Sequence, residues 1–209
     1  MNKNKSLKIE ETFNLAVKNH QEGKTDIAQE LYNQVLKIDP SHSQSLGNIG
    51  VIFTNLKEHQ KAKECYEKAI EIDPNHVDAH NNLGVIFKVL GENQKAKECY
   101  EKAIEINPIY VHAHNNLGNI FKEFGEHQKA KECYEKAIEI NPNYVDAYWN
   151  SHALSTDINE ALLILKKLYK IDSSHIKSKI MISALEGYKG DFKRFNELLN
   201  SSHSNHPYT

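Results

Sequence analysis

Residues Lys95 to Pro108 read KAKECYEKAIEINP, and the same run returns unchanged as Lys129 to Pro142. A third copy, Lys61 to Pro74, differs only by Asp73 where the others carry asparagine. The closing prolines, Pro74, Pro108 and Pro142, stand 34 residues apart. A fixed period of that length is the signature of stacked helical hairpins, each burying an apolar face against the next. The 209 residues are therefore counted in repeats and not in globular domains.

Outward from that run, a whole unit extends from Val77 to Tyr110. In its second half Ala96, Tyr100, Ala103 and Ile104 share a helical face, while the opposite-charge pairs Glu98 with Lys102 and Lys97 with Glu101, each four apart, suit the solvent side. In its first half Ala79, Leu83, Phe87 and Leu90 recur at four, four and three residues and make an apolar stripe. Gly84 beside that stripe removes a side chain and lets the second helix cross closely. Gly91 supplies the left-handed cap that ends the first helix, and Asn107 with Pro108 ends the second. Each helix is near the marginal length of about 12–15 residues, so its stability has to come from its neighbours.

Composition excludes several classes. The 26 Lys and Arg balance 28 Asp and Glu, with no basic stripe for a nucleic-acid backbone. The start, MNKNKSLKIEETF, lacks the apolar core of a signal peptide, and no later run approaches the ~18 apolar residues of a membrane span. A cytoplasmic protein without membrane insertion is expected. Cys65, Cys99 and Cys133 occupy one position of successive units, a helix-packing distance of about 8–10 Å apart, which is too far for disulfides. Their odd count and wide spacing give no zinc signature.

Leu83, Gly84, Phe87, Ala96, Tyr100, Ala103 and Pro108 fall where the tetratricopeptide pattern has Leu, Gly, aromatic, Ala, aromatic, Ala and Pro. The chain thus resembles the tetratricopeptide-repeat (TPR) family. Ile49, Gly50, Phe53, Ala62, Tyr66 and Ala69 fill those places in the preceding unit, and Leu117, Gly118, Phe121, Ala130, Tyr134 and Ala137 in the following one. The resemblance implies an all-α fold, a right-handed superhelical α-solenoid of antiparallel helix pairs. About five repeats are expected, 9–42, 43–76, 77–110, 111–144 and 145–175, after a lead-in over 1–8. The first is irregular, with Asn19 replacing an aromatic, and the fifth is shortened, with a second helix over about Asn159 to Lys170. A degenerate helix pair over 176–200 and a tail over 201–209 close the chain.

Asn14, Asn48, Asn82, Asn116 and Asn150 also follow one another at 34 residues. Each stands about 100° round the helix from the core stripe, beside Asn81, Val85 and Lys88 in one unit and Asn115, Asn119 and Lys122 in the next. In the TPR family the first helices line a concave groove that holds extended peptides. By that resemblance the asparagines form a ladder whose amides offer a donor and an acceptor to a peptide backbone. Two other readings stay open: an amide satisfied between helices, and simple copying of the repeat. Trp149, the only tryptophan, falls on the groove side as an anchor for a ligand, or under the C-terminal helices as part of a cap.

A dicarboxylate clamp for acidic tails is disfavoured, because the inward positions hold Gly47, Asn81, Asn115 and Trp149 and not basic residues. His80 and His114 stand where the family has a bulky aromatic and read as packed inter-helix histidines. His76 with His80, and His112 with His114, lack a third ligand for a metal. There is no phosphate loop, nucleophile elbow or acid–base pair, so neither catalysis nor a cofactor is expected. Function is accordingly read as non-catalytic binding of a protein or peptide partner, with end-to-end self-association also allowed by the near-identical units. The alternative is the substrate-recruiting module of a transferase, a glycosyltransferase or methyltransferase, whose catalytic domain is not in this chain. The units are similar to those of protein O-GlcNAc transferases, and the abrupt HPYT ending motivates that alternative.

Overall fold

The structure, a computed structural model, describes residues 3–187, and every regular element among them is an α-helix. The helices form consecutive hairpins. The first pairs α1 (Lys3–Gln21) with α2 (Thr25–Ile38), the second α3 (Ser43–Asn55) with α4 (His59–Ile72), and the third α5 (Val77–Val89) with α6 (Asn93–Ile106). Then follow α7 (Val111–Glu123) with α8 (His127–Ile140), the short α9 (Val145–His152) with α10 (Ile158–Ile171), and α11 (Ile176–Gly187). The lead-in is not separate from the first repeat, because nothing between Lys3 and Ile9 breaks a helix and α1 runs straight through it. The expected helix after Gly190 and the tail lie outside the described residues.

Contacts divide the chain into two compact units, residues 1–108 and 109–209. In the first, α1 packs on α2, α2 on α3, α3 on α4 and α4 on α5, with α3 also touching α5. In the second, α7 packs on α8, α8 on α9, α9 on α10 and α10 on α11.

The small residues of the pattern are what bring each helix pair together. Ala62, Ala69, Ala96, Ala103, Ala130 and Ala137 are fully buried, and each pair grips a tyrosine, Tyr66, Tyr100 or Tyr134, that is buried to within about 1%. Opposite these rings stand Gly50, Gly84 and Gly118, where a Cβ would come within 2.5–2.7 Å of a ring carbon. Ile52, Ile86 and Ile120 complete the interior, and Leu90, read above as the end of the stripe, is instead 44% exposed. It sits at the C-terminal cap of α5, after the last helical residue. The thiol of Cys99 is pushed up to about 12 by burial, which keeps it protonated and unreactive. No disulfide joins the cysteines.

Among the turns of the first four hairpins, one departs from the rule of the others. Gly23, Gly91 and Gly125 hold φ of 74–76°, the left-handed conformation in which glycine is unstrained, but the same place in the second hairpin is Lys57 at φ 59°. A Lys57→Gly protein is expected to be more stable by about 0.5–1 kcal/mol, the cost of holding a side chain in that region less the entropy glycine loses on folding. A urea denaturation midpoint that falls or stays fixed would contradict this.

Candidate functional site

The asparagine positions are set by the helix that carries them. Leu83 and Ala79 face inward from α5, so the residue before Leu83 emerges at the helix edge, half-buried. Asn48, Asn82, Asn116 and Asn150 are all half-buried at this edge, whereas Asn14 on α1 is exposed.

Two clefts open along α1, α3 and α5 in the first unit. The larger, about 380 Å³, is bordered by Phe13, Gly47, Asn48, Val51, His76 and Asn82, with Gln44 and Asp78 at its rim. The smaller, about 280 Å³, lies against Val17, Gln21, Tyr32 and the other side of Asn48. Asn48 therefore forms the partition between the two, and Asn82 the far wall of the larger.

The amides are also tied to the interior. Thr54 donates its hydroxyl to the Gly50 carbonyl at 2.9 Å, so it can only accept from the Tyr66 hydroxyl 3.1 Å away. That leaves the Tyr66 oxygen to accept from the Asn82 amide, a bond that partly offsets the burial holding the Tyr66 hydroxyl up at about 12. Asn48 makes the same link to Tyr32, whose hydroxyl burial also pushes up to about 12. The Asn82 Oδ1 accepts from Asn81 Nδ2 at 3.1 Å. An amide has two N–H donors and two acceptor lone pairs, so Asn82 keeps capacity for one further donor and one further acceptor bond toward the cleft.

Other residues expected on the wall stand elsewhere. Asn81 and Asn115 are buried at only 5% exposure and do not stand on an open wall. Asn115 accepts from Asn150 at 2.9 Å and Asn119 accepts from the Tyr134 hydroxyl at 2.8 Å, both inside the second unit. Lys88 and Lys122 are half-buried near the ends of α5 and α7. Trp149 is half-buried and packs against the cluster of Ala161, Leu162, Leu165, Met181 and Leu185 on α10 and α11, the arrangement that the capping reading describes. The His80 ring nitrogen meets the Pro74 carbonyl at 3.0 Å and His114 is buried at 9% exposure, as a packing role requires.

Sequence reasoning did not single out Phe13, Gln44, His76 and Asp78 as wall residues. The signal was present: Gly47 stands where the other units carry Phe13, Asn81, Asn115 and Trp149, a missing side chain at a place that is otherwise filled. Among the described residues no cluster of three or more His, Cys, Asp or Glu side chains could hold a metal, and no helix is long and apolar enough to cross a membrane.

Known proteins match this architecture. Family models described as tetratricopeptide repeat match residues 13–42, 43–76, 77–110 and 111–144. Among solved structures, MamA is 29% identical with a TM-score of 0.65, the match covering 78% of this chain and 96% of that one. YrrB, described as a TPR protein with an unusual peptide-binding site, is 22% identical with a TM-score of 0.61, over 80% and 88% of the two chains. A thermophilic TPR protein of Thermus thermophilus is 18% identical with a TM-score of 0.69, over 85% and 98%. No curated protein matches the chain.

Proposed function

We propose that this chain, which belongs to the tetratricopeptide-repeat family, is a non-catalytic scaffold that holds an extended segment of a protein partner against its first helices. Repeat proteins of this kind present long binding surfaces and not enclosed active sites. The observation that carries the reading is the pair of clefts divided by Asn48 and bounded by Asn82, each amide anchored at its back by a buried tyrosine hydroxyl. An amide fixed in this way has already lost its rotamer freedom, so its remaining donor and acceptor meet a peptide backbone at little further entropic cost. In the second unit Asn116 and Asn150 would serve the same purpose. The three unbridged thiols support a reducing, cytoplasmic setting.

The test uses a phage-displayed library of short random peptides selected on the wild-type chain. An Asn48→Ala, Asn82→Ala double variant is expected to lose at least about tenfold in affinity for the selected peptides, the value of two backbone hydrogen bonds of about 1 kcal/mol each. Its melting temperature should fall by only a few degrees, since each of two buried tyrosine hydroxyls loses one bond while the packing of the rings is kept. Equal recovery on both proteins would sink the ladder.

A further inference from the structure

At the junctions that lead into α3, α5 and α11, the residue before the helix packs against one edge position of the first helix before it. Where that residue is a histidine, its Nδ1 accepts a backbone N–H and caps the helix: His42 from Ser45 at 3.2 Å, His76 from Ala79 at 3.4 Å and His175 from Ser178 at 3.1 Å. Two of these three rings rest on an aromatic side chain of the previous hairpin. Phe13 meets His42 with ring centroids 4.8 Å apart, and Trp149 meets His175 at 5.3 Å. The third, His76, has Gly47 at that position, and a Cβ there would lie 3.0 Å from its Nε2.

The consequence is visible beside it. The larger cleft lies at this place, with Phe13 on one side and His76 on the other. Because Nδ1 is spent as the cap acceptor, His76 carries its proton on Nε2, and that buried N–H finds no partner among the described residues. The floor is Val51, Ala79 and the edge of Tyr66, all apolar, and the only charged lining residue is Asp78 at the rim.

We infer that this cleft receives an aromatic side chain from an extended segment of a partner protein, followed by a basic residue that meets Asp78. The guest ring takes the place that Phe13 and Trp149 occupy beside the other two histidines. It packs between Phe13 and His76, where ring pairs favour tilted or edge contacts. The neighbouring amides of Asn48 and Asn82 hold the backbone on either side. The inference rests on the peptide-binding reading above and adds what the peptide must carry.

The test uses the fluorescein-labelled peptide Ser-Gly-Ser-X-Lys-Ser-Gly-Ser, with Phe, Trp, Leu or Ala at X, titrated by anisotropy against the full chain. The Phe and Trp peptides are expected to bind about tenfold or more tighter than the Ala peptide, with Leu between, and exchange of Lys for Glu should weaken all four. Gly47→Asn, which restores the side chain found in later units, should remove the preference for aromatic residues. Since that side chain presses on His76, a thermal melt accompanies it, and the wild-type chain supplies a second reading. The His76 Hε1 proton resonance, assigned by its loss in His76→Gln, should move upfield with the Phe peptide and not with the Ala peptide.

Equal affinity for all four peptides, or an unmoved His76 resonance, overturns the aromatic site. If Asn48→Ala with Asn82→Ala still weakens those equal affinities, the scaffold reading survives alone. A Phe preference that Gly47→Asn removes and the asparagine changes leave intact keeps the aromatic site and discards the ladder. No binding by any peptide at millimolar concentration overturns both. A doubled mass by light scattering, with the His76 shift already present in the peptide-free chain, gives the cleft to a second copy and overturns the inference.

Discussion

A Tyr66→Ala chain is expected to lose about 3–5 kcal/mol of stability, among the largest single losses available in the first unit. The ring is 1% exposed and enclosed by Ala62, Ala69 and the bare backbone of Gly50, so its removal leaves a cavity that no flexible neighbour can fill. Tyr66→Phe separates the ring from its hydroxyl. It keeps the packing, gives up the bonds to Thr54 and Asn82, and should cost only about 1 kcal/mol. Urea titrations of both proteins measure the difference. A loss below about 1 kcal/mol for the alanine variant would mean that the ring is not a keystone of its hairpin.

The second large effect comes from adding one methyl group. A Cβ on Gly118 would lie 2.5 Å from Tyr134 Cε1 and 2.8 Å from Cδ1, distances that non-bonded carbons essentially never adopt. Tyr134 is fully buried and its hydroxyl is held by Asn119, so the ring cannot swing away. Gly118→Ala is expected to cost about 1–3 kcal/mol, even though alanine is the better helix former by about 1 kcal/mol. Combining it with Tyr134→Leu should give back part of that loss, because a smaller partner makes room for the methyl. Losses that simply add in the double variant would show that glycine and tyrosine do not press on one another.

The repeating parts of the fold were legible from sequence because each was written several times. The spacing of Gly84 from Tyr100, and the capping glycines at Gly91 and Gly125, were repeated physical statements whose outcome depends only on neighbours within one hairpin. What sequence could not decide was which side of an edge position wins when two neighbours compete for it. Asn81 and Asn82 are adjacent, and a rotation of about 100° separates a buried amide from one that borders a cleft. Leu90 continues the apolar stripe in sequence, but it sits at the C-cap of α5 and is 44% exposed. Trp149 fits two readings in the sequence, because only the position of α10 and α11 determines how far it is covered. The larger cleft depended on an absence at Gly47 that no motif marks.

Tyr66 belongs to one 34-residue copy and the amide it reaches, Asn82, to the following copy, just as Tyr32 reaches Asn48. Excising 43–76 in one piece would bring Tyr32 opposite Asn82, the same pair of chemical groups at the same register. A gene encoding this chain can therefore shrink or grow by complete copies without breaking that pairing. A cut of any other length would strand a phenol in the interior without its mate.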